Sequence, residues 1–128
     1  MKAGREHVVP LCPAAFSLLK SLPNDSDLVF PAPRGGQMSD MTMGAVLKRM
    51  EVNATTHGFR STFRTWAAER TAYPPEVCEQ ALAHSLGALE KAYRRTDLLE
   101  KRRRLMGDWQ GFMEKRASKG AVPIRAGR

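Results

Sequence analysis

Prolines divide this chain into short pieces. Pro10, Pro13, Pro23, Pro31 and Pro33 all fall before residue 34, and Pro74 with Pro75 interrupts it again. A proline has no amide hydrogen to give and clashes with a preceding helical turn, so each one bounds an element. Pro13 suits the first turn of a helix carrying Phe16, Leu18, Leu19 and Leu22, which must end before Pro23. Asn24 to Asp27 read as a polar turn. Leu28-Val29-Phe30 is a brief apolar run stopped by Pro31 and Pro33, and Arg34-Gly35-Gly36 reads as a flexible loop.

Beyond this region the apolar residues recur at helical spacing. Ser39 and Asp40 are good helix starters ahead of Met43, Val46, Leu47 and Met50. A helix from near His57 to about Arg70 would place Phe59, Phe63, Trp66 and Ala67 on one face. Pro74 and Pro75 open another, with Val77, Ala81 and Leu82 pointing inward. A turn at Gly87 and a short helix from Leu89 to Arg94 follow. Asp97 with Glu100 resembles a capping box, and the long helix after it carries a stripe of Leu98, Leu105, Trp109 and Phe112. That stripe suits packing on the chain's own core; docking on a neighbouring subunit is the alternative. His7-Val8-Val9-Pro10-Leu11 could form a strand, the second arm of a hairpin turning at Ala3-Gly4-Arg5. The fold expected is therefore α+β but mostly α-helical, with a remnant β-hairpin strand near the N-terminus. Residues 1–117 would form the folded unit, and 118–128 a basic, disordered tail.

The 128 residues suffice for one domain and one modest core. The 21 Lys and Arg outnumber 13 Asp and Glu, giving a net charge of +8. Such an excess attracts polyanions, nucleic acid before anionic membrane surfaces. No apolar run approaches the roughly 20 residues of a membrane span, and the charged start lacks a signal-peptide core. Cys12 and Cys78 are far apart, form no metal-type pair and read as free thiols of a reducing cytoplasm.

Three short motifs carry polar chemistry. In His57-Gly58-Phe59-Arg60 an imidazole and a guanidinium stand three apart near a helix start, and a guanidinium can hold two phosphate oxygens at once. Alone, the motif also suits an ordinary helix surface. In Leu82-Ala83-His84-Ser85-Leu86-Gly87 the histidine ends an apolar helix, a position equally natural for a capping or half-buried side chain. In Ala92-Tyr93-Arg94-Arg95 a phenol sits among cations, as packing and phosphate-contact tyrosines also do. A phenol with a pKa near ~10 becomes a nucleophile only when a base or positive field activates it. Tyr73, directly before Pro74, lacks such neighbours and reads as a packing residue.

In this order and at these spacings, HxxR, LAHxxG and AYRR resemble the tyrosine recombinase family, phage-type integrases in particular. Lys2 to Leu11 looks like that family's hairpin, in which a lysine precedes a VPL-type strand. Phe30-Pro31 through Gly35-Gly36 and Asp97 to Arg103 resemble further family segments, so the likeness covers about residues 2 to 113, the C-terminal portion of the catalytic domain. The resemblance implies site-specific recombination of double-stranded DNA through a 3′-phosphotyrosine. Tyr93 would be the nucleophile, Arg60 would hold the scissile phosphate and His57 would help move the tyrosine's proton. His84 would hydrogen-bond the phosphate, and Lys2 would protonate the leaving oxygen. Lys91, Arg94, Arg95, Arg102 and Arg103 would form the DNA-binding face. The family uses no metal or nucleotide cofactor and works as a tetramer on DNA.

An earlier arginine of the family pattern has no match here. These residues by themselves are therefore expected to cleave poorly or not at all, which leaves a non-catalytic DNA-binding module or prophage remnant as the alternative. Loss of an upstream part would also leave Phe63, Trp66 or Leu47 exposed and favour self-association.

Overall fold

The computed structural model describes residues 7–84 and 98–120, with backbone alone for 116–120. Five helices occur among them: α1 (Pro13–Lys20), α2 (Thr42–Arg49), α3 (Thr56–Arg70), α4 (Pro75–Ala81) and α5 (Leu99–Gly120). None is long and apolar enough to cross a membrane.

The core is the meeting of α3, α4 and α5. Phe63, Trp66 and Ala67 of α3, Val77 and Cys78 of α4 and Leu105 of α5 are buried, and Tyr73, Leu82, Leu98, Met106, Trp109 and Phe112 close around them. These are the i, i+3, i+4 and i+7 positions on which amphipathic helices bury one stripe. Trp66 and Trp109 centre an aromatic cluster with ring centroids 4.9 Å apart, and Phe63 meets Trp109 edge-on at 5.5 Å. Such tilted and edge-on pairs add to the value of the area they bury. The α5 stripe thus packs on its own core. Phe63 and Trp66, expected to be exposed, are each only 6% accessible because α5 covers them.

Helix boundaries follow from local chemistry. Thr55 caps α3 by accepting the Gly58 amide at 3.0 Å, satisfying one of the orphan donors of a first turn. At the other end Thr71 turns extended, and its hydroxyl donates to the Ala67 carbonyl. At the start of α2, the Ser39 hydroxyl accepts the Met41 amide and helix begins at Thr42. The first amide hydrogen of α1 finds a partner on α5, where Gln110 Oε1 accepts from the Ala14 nitrogen at 3.1 Å.

Four expectations are corrected. No strand forms among the described residues: His7 to Leu11 is irregular, and the one bridge pairs Pro31 with Gln37. A strand requires a partner for its backbone groups; here the Val8 carbonyl is taken by the Arg102 guanidinium. The Arg34-Gly35-Gly36 loop is a closed turn, with Gly35 and Gly36 at φ +82° and +76° and the Ala32 amide bonded to the Gly36 carbonyl. Those angles suit glycine alone. Phe59 is 53% exposed rather than inward, because α4 and α5 meet later turns of α3. Finally, α5 continues through Gly120, past the expected start of the tail at residue 118. The Gly87 turn, the 89–94 helix and Asp97 lie outside the described residues.

Candidate nucleic-acid interface at the end of helix α4

The way α4 stops positions His84. Leu82 caps the helix, and Ala83 then enters the left-handed region at φ +56°. The Ala83 amide donates back to the Gln80 carbonyl (3.0 Å) and the His84 amide to the Glu79 carbonyl (2.9 Å). This is the Schellman pairing, which satisfies the final carbonyls and turns the chain sharply. It is usually made with glycine at the position Ala83 occupies, since a Cβ there meets the following carbonyl.

That turn brings the two latter-half motifs together. Arg60, about one turn from the start of α3, donates from Nη2 to the Leu82 carbonyl at 2.5 Å. A cation at a helix C-terminus also meets the negative end of its dipole. Arg60 is exposed, and one carbonyl contact leaves most of a guanidinium's five N–H donors for another ligand. His84 stands two residues beyond that carbonyl and is also exposed. His57 lies exposed one helical turn before Arg60, and residues three apart share a helix face.

Beneath this pair lies a connection that the sequence did not suggest. Glu79, half-buried on α4, accepts from Arg64 Nε at 2.6 Å through Oε1 and meets His84 Nδ1 at 2.5 Å through Oε2. Bonds to His84 and Arg64 hold its carboxyl below the ordinary value, so it is a carboxylate at neutral pH. A carboxylate only accepts, so Nδ1 carries the hydrogen and Nε2 is the ring nitrogen left for solvent or ligand. The signal available in sequence was spacing: Arg64 falls one turn after Arg60, and Glu79 lies in the last turn of α4.

Arg102 requires correction. Expected on the DNA-binding face, it is buried at 2% exposure, and its Nη1 donates to the Val8 carbonyl at 2.7 Å. It lies one helical turn before Leu105 on the inward stripe of α5, so its role is to tie the N-terminal segment to that helix. Arg103, its neighbour, is exposed and borders an open groove with Val8, Leu11 and Phe16, bonding Glu100 at 3.4 Å. Lys2, Lys91, Tyr93, Arg94 and Arg95 lie outside the described residues. Tyr73 is a packing residue: its hydroxyl donates to Asp108 at 2.7 Å, and burial together with that bond pushes the phenol up to about 12.

Similarity to known proteins decides the family. The chain is 35% identical over 132 aligned positions to prophage integrase IntA of Escherichia coli, an alignment covering 97% of this chain. Prophage integrase IntZ of the same species is 36% identical over 85% of the chain, and the integrase of Shigella phage Sf6 is 31% identical over 91%. The chain belongs to the phage-type integrases. It spans 32%, 29% and 32% of the lengths of these three relatives. No protein-family profile and no solved structure matches it. Within this integrase chain, the Arg60–His84 corner is where two of the polar motifs meet.

Proposed function

We propose that this chain is the C-terminal portion of the catalytic domain of a tyrosine recombinase, acting on double-stranded DNA. The observation that carries the reading is the bond from Arg60 to the Leu82 carbonyl, two residues before His84, which links the two motifs whose Arg60 and His84 side chains, 24 positions apart in sequence, both suit phosphate oxygens. Phosphoryl transfer builds charge on the nonbridging oxygens, and fixed donors aimed at them lower the barrier. Arg60 would grip the scissile phosphate with its remaining N–H groups, and His84 would donate to another oxygen from Nε2 when both ring nitrogens carry hydrogen.

Tyr93 would attack the phosphorus. Its oxygen forms the new bond, the bond to the 5′-oxygen breaks, and a 3′-phosphotyrosine remains. His57 would take the phenolic proton, and Lys2 would supply one to the departing 5′-oxygen. Because the covalent link conserves the phosphoester for rejoining, no high-energy cofactor is needed. Full-length relatives would act as tetramers in the cytoplasm, with Lys91, Arg94, Arg95 and Arg103 contributing to the DNA face.

A second reading rests on the absence of any counterpart to the family's earlier arginine in these 128 residues. On that reading they bind DNA without cutting it, as a binding module or prophage remnant does. The test is covalent capture of a nicked suicide duplex by a chain that also carries the upstream arginine-bearing part. The expected result is a protein–DNA adduct that Tyr93→Phe abolishes. Capture that persists in that variant would exclude Tyr93 as nucleophile.

A further inference from the structure

We propose that duplex DNA docks at the Arg60–His84 corner with uptake of a proton by His84, whose ring would lie between two groups that only accept hydrogen bonds, the Glu79 carboxylate at Nδ1 and a DNA phosphate at Nε2; this rests on the recombinase reading above. Glu79 Oε2 lies 2.5 Å from His84 Nδ1. Its other oxygen accepts from Arg64 Nε at 2.6 Å, so a helix other than its own holds the carboxylate in place. Bonds to His84 and Arg64 keep the Glu79 carboxyl below its ordinary value, and it stays an acceptor wherever imidazoles titrate. The His84 side chain is 46% accessible, and Nε2 is the nitrogen that Glu79 does not hold.

A neutral imidazole has one N–H. With that hydrogen committed to Glu79, Nε2 is bare and has nothing to give a phosphate oxygen. The imidazolium has two N–H groups and donates to both partners at once. Whatever fraction of His84 is neutral in the free chain must therefore gain a hydrogen at Nε2, taken from solvent, when phosphate arrives. Nδ1 keeps its own hydrogen and Glu79 stays ionised. Among the described residues, the charged groups at this corner are Glu79 on α4 and Arg60 and Arg64 on α3, with Arg60 bonded to the Leu82 carbonyl two residues before the ring. His57 lies one turn before Arg60 on α3. A phosphate adds a second anion to this set and favours the charged ring. The bound state thus holds the proton more tightly than the free state, so affinity is highest at low pH and falls as pH rises through the imidazole range.

The test measures affinity of the 128-residue chain for linear duplex DNA at constant ionic strength, from about pH 6 to about pH 8.5, the range in which imidazoles titrate. The wild type should weaken roughly threefold to tenfold across it, the worth of one net hydrogen bond. His84→Gln cannot take up a proton and should lack that loss; His7 and His57 remain in both proteins, so their contribution cancels. Glu79→Gln should also flatten the profile. Arg64 keeps the Gln oxygen turned toward itself, the Gln amide then donates to Nδ1, and a neutral ring with its hydrogen on Nε2 can bond phosphate without taking a proton. An identical pH profile in the wild type and His84→Gln overturns the proposal. So does a Glu79→Gln protein that melts cooperatively and keeps the full wild-type profile; if that variant does not fold, the His84→Gln comparison decides alone. Arg60→Ala separates the two levels of the argument. It should weaken binding at every pH, and if it leaves affinity unchanged, the recombinase reading of this corner fails as well.

Discussion

Arg64 of α3 and Glu79 of α4 form an ion pair at 2.6 Å, and the far oxygen of the same carboxylate holds His84. Helix packing and site geometry are therefore coupled through one side chain, and acid should act on both.

Hydrogen bonds to His84 and Arg64 lower the Glu79 carboxyl below its ordinary 4.5. The folded state thus binds this proton less readily than the unfolded chain does. The stabilisation is fully present above 4.5 and is lost as pH falls through the lower folded value. Melting temperatures measured through that interval should fall more steeply for the wild type than for Glu79→Gln.

Ala83 adopts φ +56° at the Schellman position, where an L side chain costs about 1 kcal/mol relative to glycine. Ala83→Gly should raise stability by about that amount in denaturant titration, because the native turn already has the backbone angle glycine prefers. A loss of stability would mean that the left-handed turn is not populated in solution.

Tyr73 should behave as an inert phenol. Its pKa, pushed up to about 12 by burial and by Asp108, means that the native state keeps its proton longer than the unfolded chain. Stability from this group is present below its ordinary value near ~10 and is lost as pH rises through the folded value. Spectrophotometric titration should show one late-ionising tyrosine that Tyr73→Phe removes, at a stability cost of about 1 kcal/mol.

The two neighbouring arginines of α5 should respond oppositely. Arg102 is buried and bonded to the Val8 carbonyl, whereas Arg103 is exposed. Arg102→Ala should cost about 1–3 kcal/mol by leaving a carbonyl unsatisfied and a cavity beside it. Arg103→Ala should leave melting nearly unchanged and reduce the salt dependence of duplex binding.

Much of this was legible in the sequence. Prolines and apolar spacing located α1, α3 and α4 within a residue or two, and the stripe of Leu105, Trp109 and Phe112 does build the core. What periodicity could not give was the content of each face. Arg102 falls on the inward stripe of α5, but a cation is ordinarily read as solvent-facing, and periodicity cannot show that a carbonyl such as that of Val8 receives it. Phe59 was misread for the converse reason: it has the inward spacing, but among the described residues no helix lies over the first turn of α3. The His7–Leu11 segment has strand composition, yet pairing is non-local and composition cannot supply it. His57, Arg60 and His84 were singled out from their motifs. Glu79 escaped because its role depends on two partners 15 residues before and 5 after it.

The proposed convergence of Arg60 and His84 on one phosphate is tested most directly by duplex-DNA affinity of the 128-residue chain across a salt series. Removing one phosphate contact should lower the slope of log K against log salt by about 0.9, so Arg60→Ala should show that drop with weaker binding and unchanged folding. If Arg60→Ala and His84→Gln both retain wild-type affinity and slope, this corner of the molecule does not hold DNA phosphate.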